Sequence, residues 1–578
     1  MSTKIIFLLV FLFSNLAFSQ LLFEDEATSR LVTAQTLYDG NGNGLSFADY
    51  NGDGLDDLTF PSGNGAELRF YENLGDIFRE QRVISPAITY KTRSVSWVDY
   101  DNDGDKDLFV VSDEQGNRLY RQDANFLFTD VTISSGLFTD DVESFSVSWG
   151  DIDNDSCLDL FISNRTLATG ITNYIFRNNC DGTFSNITNL AGLSQLPRLT
   201  FGASFFDYNN DGFQDIYVIN DKNGSNILYK NNGDLTFEDV SVITSTGIVV
   251  DAMSVTIDDY NNDGYFDIYI TNTPNDLATP TLGSVLLKNV NGQYFDDVSE
   301  ETSTLLDGWC WGSNFLDADN DMDLDLYVSC IFTSPDERQS YGFYQNDTLE
   351  TFSSPENIGF VNNDNESHGS AIGDANNDGK VDIAVINNEN IAPNLWINKT
   401  ENSNNFLTIS LEGTASNKDG VGSIIEISIN GNKQYRYVCN GEGYISQNSF
   451  KEFFGLGTNM TVDYVKVTWL SGIVDTFFNV SANQTLNIVE GSSSTLSTET
   501  FDKLNLKIHP NPANDWLLVT ANEKIKSIEI LNILGQSIDK KYFNSNSVTT
   551  DVSFIAAGTY FITVSSEQNI KTLKFIKE

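Results

Sequence analysis

One acidic pattern, Asp-x-Asp/Asn-x-Asp-Gly-x-x-x-Asp or a near variant, recurs seven times in this chain. No other feature constrains the fold as strongly. The copies are Asp49-Asn51-Asp53-Asp57, Asp99-Asp101-Asp103-Asp107, Asp151-Asp153-Asp155-Asp159 and Asp207-Asn209-Asp211-Asp215. Then follow Asp259-Asn261-Asp263-Asp267, Asp317-Asp319-Asp321-Asp325 and Asp374-Asn376-Asp378-Asp382. Successive first aspartates stand 50, 52, 56, 52, 58 and 57 residues apart.

The flanks of each copy carry a period of two, the mark of β-strands. Five residues before the first Asp stands only Gly or Ser: Gly44, Ser94, Ser146, Gly202, Ser254, Gly312 and Gly369. Two residues before it the side chain is always apolar, as in Phe47, Trp97, Trp149, Phe205, Ile257, Phe315 and Ile372. Each acidic loop therefore joins two antiparallel strands, and the repeat length suits a four-stranded blade. Further strands follow, as at Asn226 to Asn231 and Phe237 to Val240. The seventh copy has a third strand at Asn394 to Asn398 but no fourth, and Phe23-Glu24-Asp25-Glu26 supplies the missing one. The expectation is an all-β chain: a seven-bladed β-propeller over 20–400, closed by its own N-terminus, which leaves no exposed sheet edge.

Alternate side chains of a tight loop aim inward, and a hard divalent cation takes several oxygens at about 2.3–2.6 Å. Three or four carboxylates with amide and carbonyl oxygens favour calcium over a transition metal. An EF-hand would need a Glu at loop position 12, where this chain has Phe60, Val110, Ile162, Val218, Ile270, Val328 or Val385. A single such loop would read as a solvated Asp/Asn turn, whereas seven in phase read as sites for up to seven structural calcium ions. Ser156 and Met322 replace the loop glycine in two copies, so strain is expected at those turns.

Lys4, the apolar run Ile5 to Phe13 and Ala17-Phe18-Ser19 predict a secretory signal peptide over 1–19. No later stretch is long and apolar enough to cross a bilayer. The net charge is −48, from 81 acidic and 33 basic residues, which repels nucleic acid and anionic lipid and attracts cations. Five cysteines leave at least one thiol unpaired within a monomer; Cys310 with Cys330 is a plausible pair and Cys157 with Cys180 a weaker one. Only His368 and His509 are present, too few for histidine-rich metal sites.

The region over about 21–400 resembles the FG-GAP/VCBS repeat family, most closely at Phe201-Gly202-Ala203-Ser204 before the Asp207 loop. Residues 401–490 resemble the ASPIC/UnbV domain of cartilage acidic protein-like chains. Asp419-Gly420-Val421-Gly422-Ser423, Asn440-Gly441-Glu442-Gly443-Tyr444-Ile445-Ser446-Gln447, Phe454-Gly455-Leu456-Gly457 and Val467-Thr468-Trp469-Leu470-Ser471-Gly472 carry this resemblance. Ser423 and Leu470 depart from the family's usual Ala and Pro. The alternation there suggests a compact β-domain, followed by a linker over 491–503. Residues 504–578 are similar to the type A sorting domain of the type IX secretion system, through Ile508 to Ala513, Ile530 to Gln536, Ala557 to Phe561 and the end near Lys574 and Lys577. That resemblance implies an Ig-like β-sandwich, a Bacteroidetes-type cell, contact with the type IX machinery and passage through the outer membrane.

These features point to a secreted or cell-surface protein that binds a glycan, a matrix component or another protein without catalysis. The connections Asn272–Leu282 and Ser334–Glu356 vary most in length and are the expected recognition sites. A polysaccharide hydrolase or lyase using the axial channel is the alternative, with Glu143, Glu366 and His368 before innermost strands as its candidates, read first as solvated loop residues. A structural subunit of a surface complex is a third possibility.

Overall fold

The computed structural model describes residues 21–34, 42–273, 283–331, 341–493 and 506–578, apart from 64, 125, 139–141, 169, 223, 348–349, 361–362, 364, 389–390, 533–535 and 567–569. The expected signal peptide, most of the expected linker and much of the two long connections lie outside the described residues. The described chain is all-β and divides into two compact units, Met1–Ser493 and Ser494–Glu578.

Seven four-stranded antiparallel sheets follow one another in the first unit, six of them with their strands in chain order. Their first strands are Ser46–Phe47, Ser94–Val98, Ser144–Gly150, Thr200–Phe206, Ala252–Asp258, Trp309–Leu316 and Ser367–Gly373. They are numbered here as sheets 1 to 7, and the acidic loop after each first strand takes the same number. Each first strand lies beside those of both neighbouring sheets, including sheet 7 beside sheet 1. Phe23–Asp25 forms the fourth strand of sheet 7, with Phe23 opposite Asn398, so the chain's two ends meet in one sheet as expected.

The core lies between sheets, because the alternating apolar side chains leave both faces of each sheet to be covered. Phe205 of sheet 4 packs with Phe161 and Ile175 of sheet 3, and Trp97 of sheet 2 with Tyr50 and Phe70 of sheet 1. Phe47 and Leu58 of sheet 1 pack with Ala371 and Leu395 of sheet 7. Burying one such aromatic contributes about 2–3 kcal/mol. Disulfides join Cys157 to Cys180 and Cys310 to Cys330.

Residues 401–493 share this unit with the sheets. A three-stranded sheet (Lys451–Gly455, Phe406–Glu412, Gln484–Val489) and a four-stranded one (Asn432–Tyr437, Ile424–Ile429, Thr461–Thr468, Val474–Ser481) enclose a core of Leu407, Ile427, Phe454, Val465 and Trp469. The carboxylate of Glu490 fastens the end of the segment by accepting the backbone N–H groups of Thr414, Ala415 and Ser416 at 2.6–2.7 Å. Those donors contribute to a pKa held down at about 2 against the opposing effect of burial.

In the second unit, Lys507–His509, Trp516–Leu531, Ser537–Asp551, Gly558–Ser565 and Ile570–Lys577 form one hydrogen-bonded sheet over a core of Leu517, Val519, Ile528, Ile562 and Phe575.

Candidate metal centres and the filled axis

In each loop the first aspartate organises the turn. Asp99 Oδ1 accepts the N–H of Asp103 at 3.1 Å and Oδ2 that of Gly104 at 2.9 Å, and the other six loops repeat the bond to the sixth position. The fourth position is left-handed in every loop: Gly52, Asn102, Asn154, Asn210, Asn262, Asn320 and Asn377 have φ of 53–76°. Asn and Gly tolerate that region best. Ser156 and Met322, where glycine was expected, are left-handed too, with φ of 74° and 92°.

The ninth-position aspartates (Asp57, Asp107, Asp159, Asp215, Asp267, Asp325 and Asp382) are all buried. The sequence assigns them only to a cation, yet each also ties the sheet together. Asp107 accepts the N–H of Tyr100 at 3.2 Å and that of Gln122 on the third strand at 2.7 Å. Burial pushes Asp57 up to about 8 and Asp107 to about 9, and holds Asp159, Asp215, Asp267, Asp325 and Asp382 well above the carboxylate range. Among the first positions, burial raises Asp99, Asp151 and Asp259 to about 7 and Asp207 and Asp374 to about 6. It also raises Asp49, and Asp317 strongly.

Dehydrated carboxylates with such shifts lack a counter-charge. Side-chain oxygens lie within 4.8 Å of one another in the groups Asp99, Asp101, Asp107; Asp151, Asp153, Asp159; and Asp317, Asp319, Asp321. Asp101, Asp153 and Asp319 each keep a buried Oδ1 with no hydrogen-bond partner, and Asp267 keeps its Oδ2 so. The remaining loops place Asn51, Asn209, Asn261 and Asn376 at the third position, offering an amide oxygen instead. All-oxygen sets with free inward oxygens fit a hard cation such as calcium.

Two series of bonds, neither read from the sequence, link every adjacent pair of loops except 1 and 2, where Gly52 and Gln122 stand in place of the asparagines. Fourth-position asparagines donate to the next loop, as Asn154 Nδ2 to Gly212 O at 3.0 Å and Asn210 Nδ2 to Gly264 O at 3.0 Å. Third-strand asparagines donate to the preceding loop, as Asn231 Nδ2 to Ile152 O and Asn289 Nδ2 to Tyr208 O, both at 2.8 Å. Asn73 Nδ2 reaches Ala375 O at 2.9 Å, so sheet 1 is bonded to loop 7 in the same way. The signal was present in the sequence as an Asn ending most third strands.

The small residues of the first strands have a cause beyond crowding between sheets. Residues 439–449 run among the first strands and bond to all seven. Gln447 accepts the N–H of Trp97 (2.8 Å) and donates to Trp97 O (2.7 Å), while its backbone pairs with Leu45 and Phe47. Asn440 O accepts Trp149 N–H at 3.0 Å, and Gly443 N–H donates to Val255 O at 2.8 Å. The Cys439 thiol lies 3.7 Å from Phe205 O, and Asn448 Oδ1 accepts from Asn314 (3.1 Å) and Ile372 (2.9 Å). A Cβ on Gly44 would stand 1.7 Å from Ile445 O. The space between the first strands, which the hydrolase or lyase alternative would use as its channel, is therefore occupied by the chain itself, by the Asn440 to Gln447 motif in particular.

His368 is not the solvated loop residue expected. It is 1% exposed on the first strand of sheet 7, its ring 4.7 Å from that of Trp311, and burial first, then the nearby Arg93, lowers its pKa to about 3. Glu143 and Glu366 are exposed, as expected. His509 lies in the C-terminal unit.

Models of three families match this chain. An FG-GAP-like repeat matches 49–110, 99–162, 166–218 and 207–270, ASPIC and UnbV matches 413–495, and the secretion system C-terminal sorting domain matches 507–578. Cartilage acidic protein 1 of Xenopus tropicalis is 24% identical over 459 residues, covering 76% of this chain and 62% of that protein. Its Homo sapiens counterpart is 24% identical over 319 residues, covering 50% and 47%. The chain thus spans about half to three-fifths of the length of these relatives. Among solved structures, PorZ, a surface component of the type-IX secretion system of Porphyromonas gingivalis, is 10% identical with a TM-score of 0.24, covering 93% of this chain and 75% of that one. That likeness is too weak to bear on fold or function. The sorting domain marks the protein for contact with the type IX machinery and export across the outer membrane, to the cell surface or beyond. No helix among the described residues is long and apolar enough to cross a membrane. The chain is an exported protein with matches to FG-GAP-like repeats, to ASPIC and UnbV and to a secretion-system C-terminal sorting domain, and it is similar to cartilage acidic protein 1.

Proposed function

We propose that the seven sheets are the blades of one closed propeller, that its loops hold up to seven structural calcium ions, and that the exported protein is a non-catalytic binding module for a glycan, a matrix component or a surface protein. Closure is supported by the shared sheet of Phe23–Asp25 with Asn394–Asn398 and by the Asn73 bond to Ala375. Calcium would be held by the first, third, fifth and ninth side chains of each loop, supplying the positive charge that the buried carboxylates lack. We also read the C-terminal unit as an Ig-like sandwich, since Trp516–Leu531 pairs with Lys507–His509 at one end and Gly558–Ser565 at the other.

The observation that carries the binding reading is the filled axis: 439–449 bonds to every first strand where a channel enzyme would place its substrate. Recognition then falls to the outer surface. At the end of the sheets away from the acidic loops, Trp309 opens the first strand of sheet 6 and is 48% exposed. An exposed Trp is a common anchor for sugars and proteins. The test is retention of the full chain on immobilised polysaccharides, matrix components and surface proteins, with calcium and with chelator. Calcium-dependent retention, reduced by Trp309→Ala and without depolymerisation, is expected. Release of new reducing ends, or no retention on any of them, would contradict the proposal.

A further inference from the structure

The seven loops differ in charge. Loops 2 and 6 alone carry aspartate at all five alternate positions: Asp99, Asp101, Asp103, Asp105 and Asp107, and Asp317, Asp319, Asp321, Asp323 and Asp325. Among the described residues, no ion pair reaches any of these ten carboxylates. Loops 3 and 4 bring their own cations. Arg177 pairs with Asp153 Oδ2 and Asp155 Oδ2, both at 2.6 Å, and Lys230 Nζ stands 3.2 Å from Asp211 Oδ2. In loop 6, Asp319 is 7% exposed and its inward Oδ1 has no partner.

Both loops bond segment 401–493, which also bonds loops 1 and 7 through Lys451 and loop 4 through Tyr437. Asp99 N–H donates to Asp419 Oδ2 at 3.0 Å, and Lys418 N–H to Asn102 Oδ1 at 2.9 Å. In loop 6, Asn404 Nδ2 donates to Asp319 O at 2.9 Å and Gly457 N–H to Asn320 O at 2.8 Å. Met322 stands where other loops have Gly, with φ of 92°, and its side chain packs against the core of 401–493. That packing offsets the strain of a left-handed Met, and accounts for the departure from glycine.

We propose that loops 2 and 6 are a paired, tighter class of divalent-cation site, and that filling them seats segment 401–493, with its 440–449 stretch, on the propeller. The inference rests on the calcium reading above. Ligand charge sets the affinity of an oxygen site, so five carboxylates outcompete three or four, which in loops 3 and 4 Arg177 and Lys230 also partly neutralise. Without the cation, like charges spread loops 2 and 6 and displace Asp99 N, Asn102, Asp319 O and Asn320 O, four groups that the segment bonds. Loops 3 and 4 keep their internal cations and move less.

Calcium titration of the full chain by calorimetry, with hydrogen exchange of 440–449 followed at each calcium level, tests this. Two ions are expected to bind about tenfold or more tightly than the rest, with protection of 440–449 rising over that same range. Asp103→Asn with Asp321→Asn should remove the tight class and shift protection to higher calcium, while Asp155→Asn with Asp211→Asn should leave it in place. Uniform affinities in the unmodified chain, or unchanged protection in the first double variant, would overturn the pairing alone. No calcium binding at all would overturn both the pairing and the calcium reading.

Discussion

Each acidic loop is held by bonds that its neighbours repeat, whereas 440–449 makes a different bond to every sheet it meets. Loop 3 ties to loop 4 through Asn154 and loop 4 to loop 5 through Asn210, in the same geometry. Gln447, by contrast, joins sheets 1 and 2 through four bonds to Leu45, Phe47 and Trp97 that occur nowhere else. A repeated array spreads its stability over many equivalent contacts. A single-copy insert concentrates it, so the two regions should respond differently to equally small changes.

The largest single-residue effect is expected at the insert. Gln447→Ala strands the buried N–H of Trp97 and the buried hydroxyl of Ser46 and should cost about 3 kcal/mol, read as a lowered midpoint in denaturant melts. An equal loss from a matched change in the array would break the comparison. Asn231→Ala, which removes the bonds to Ile152 O and Gln214 O, should cost roughly 1–3 kcal/mol. The array should keep its calcium stoichiometry in that variant, which metal analysis checks.

Metal-free protein should also lose stability as pH rises. The loop carboxylates have folded pKa values raised by burial, to about 6 for Asp207, about 8 for Asp57 and about 9 for Asp107. The folded state therefore binds more protons than the unfolded chain above pH ~4, and that stabilisation is lost as pH climbs through the folded values. Melts in chelator at pH 5 and pH 8.5 should show the lower midpoint at the higher pH. Saturating calcium should flatten this slope, and a steeper fall with calcium than without would count against it. The smallest effect is expected at Ser156, whose φ of 74° suits glycine: Ser156→Gly should gain roughly 0.5–1 kcal/mol. Met322→Gly should show no such gain, because Met322 also packs against residues 401–493.

Much of the array was legible because its signals recur. The loop aspartates, the Gly or Ser five residues before them and the closing strand at Phe23 all stand where the repeat length places them. The asparagines at the fourth loop position and at third-strand ends were visible too, but their bonds run between sheets, and a strand reading considers one sheet at a time. The filling of the axis was not legible. Asn440 to Ser449 has no period, and what betrays it is scattered: Gly44 is small because Ile445 lies against it. His368 was misjudged for the same reason, since its burial against Trp311 depends on a partner 57 residues away in the chain. Tyr444 of the insert also packs on Trp311.

The most direct test is a thermal melt of the full chain with saturating calcium and with excess chelator, alongside metal analysis of the dialysed protein. A site filled at 100 times its dissociation constant adds about 2.7 kcal/mol, so several filled loops should raise the midpoint by many degrees, with up to seven calcium ions retained per chain. Identical melts in calcium and in chelator, with no bound calcium, would contradict the account.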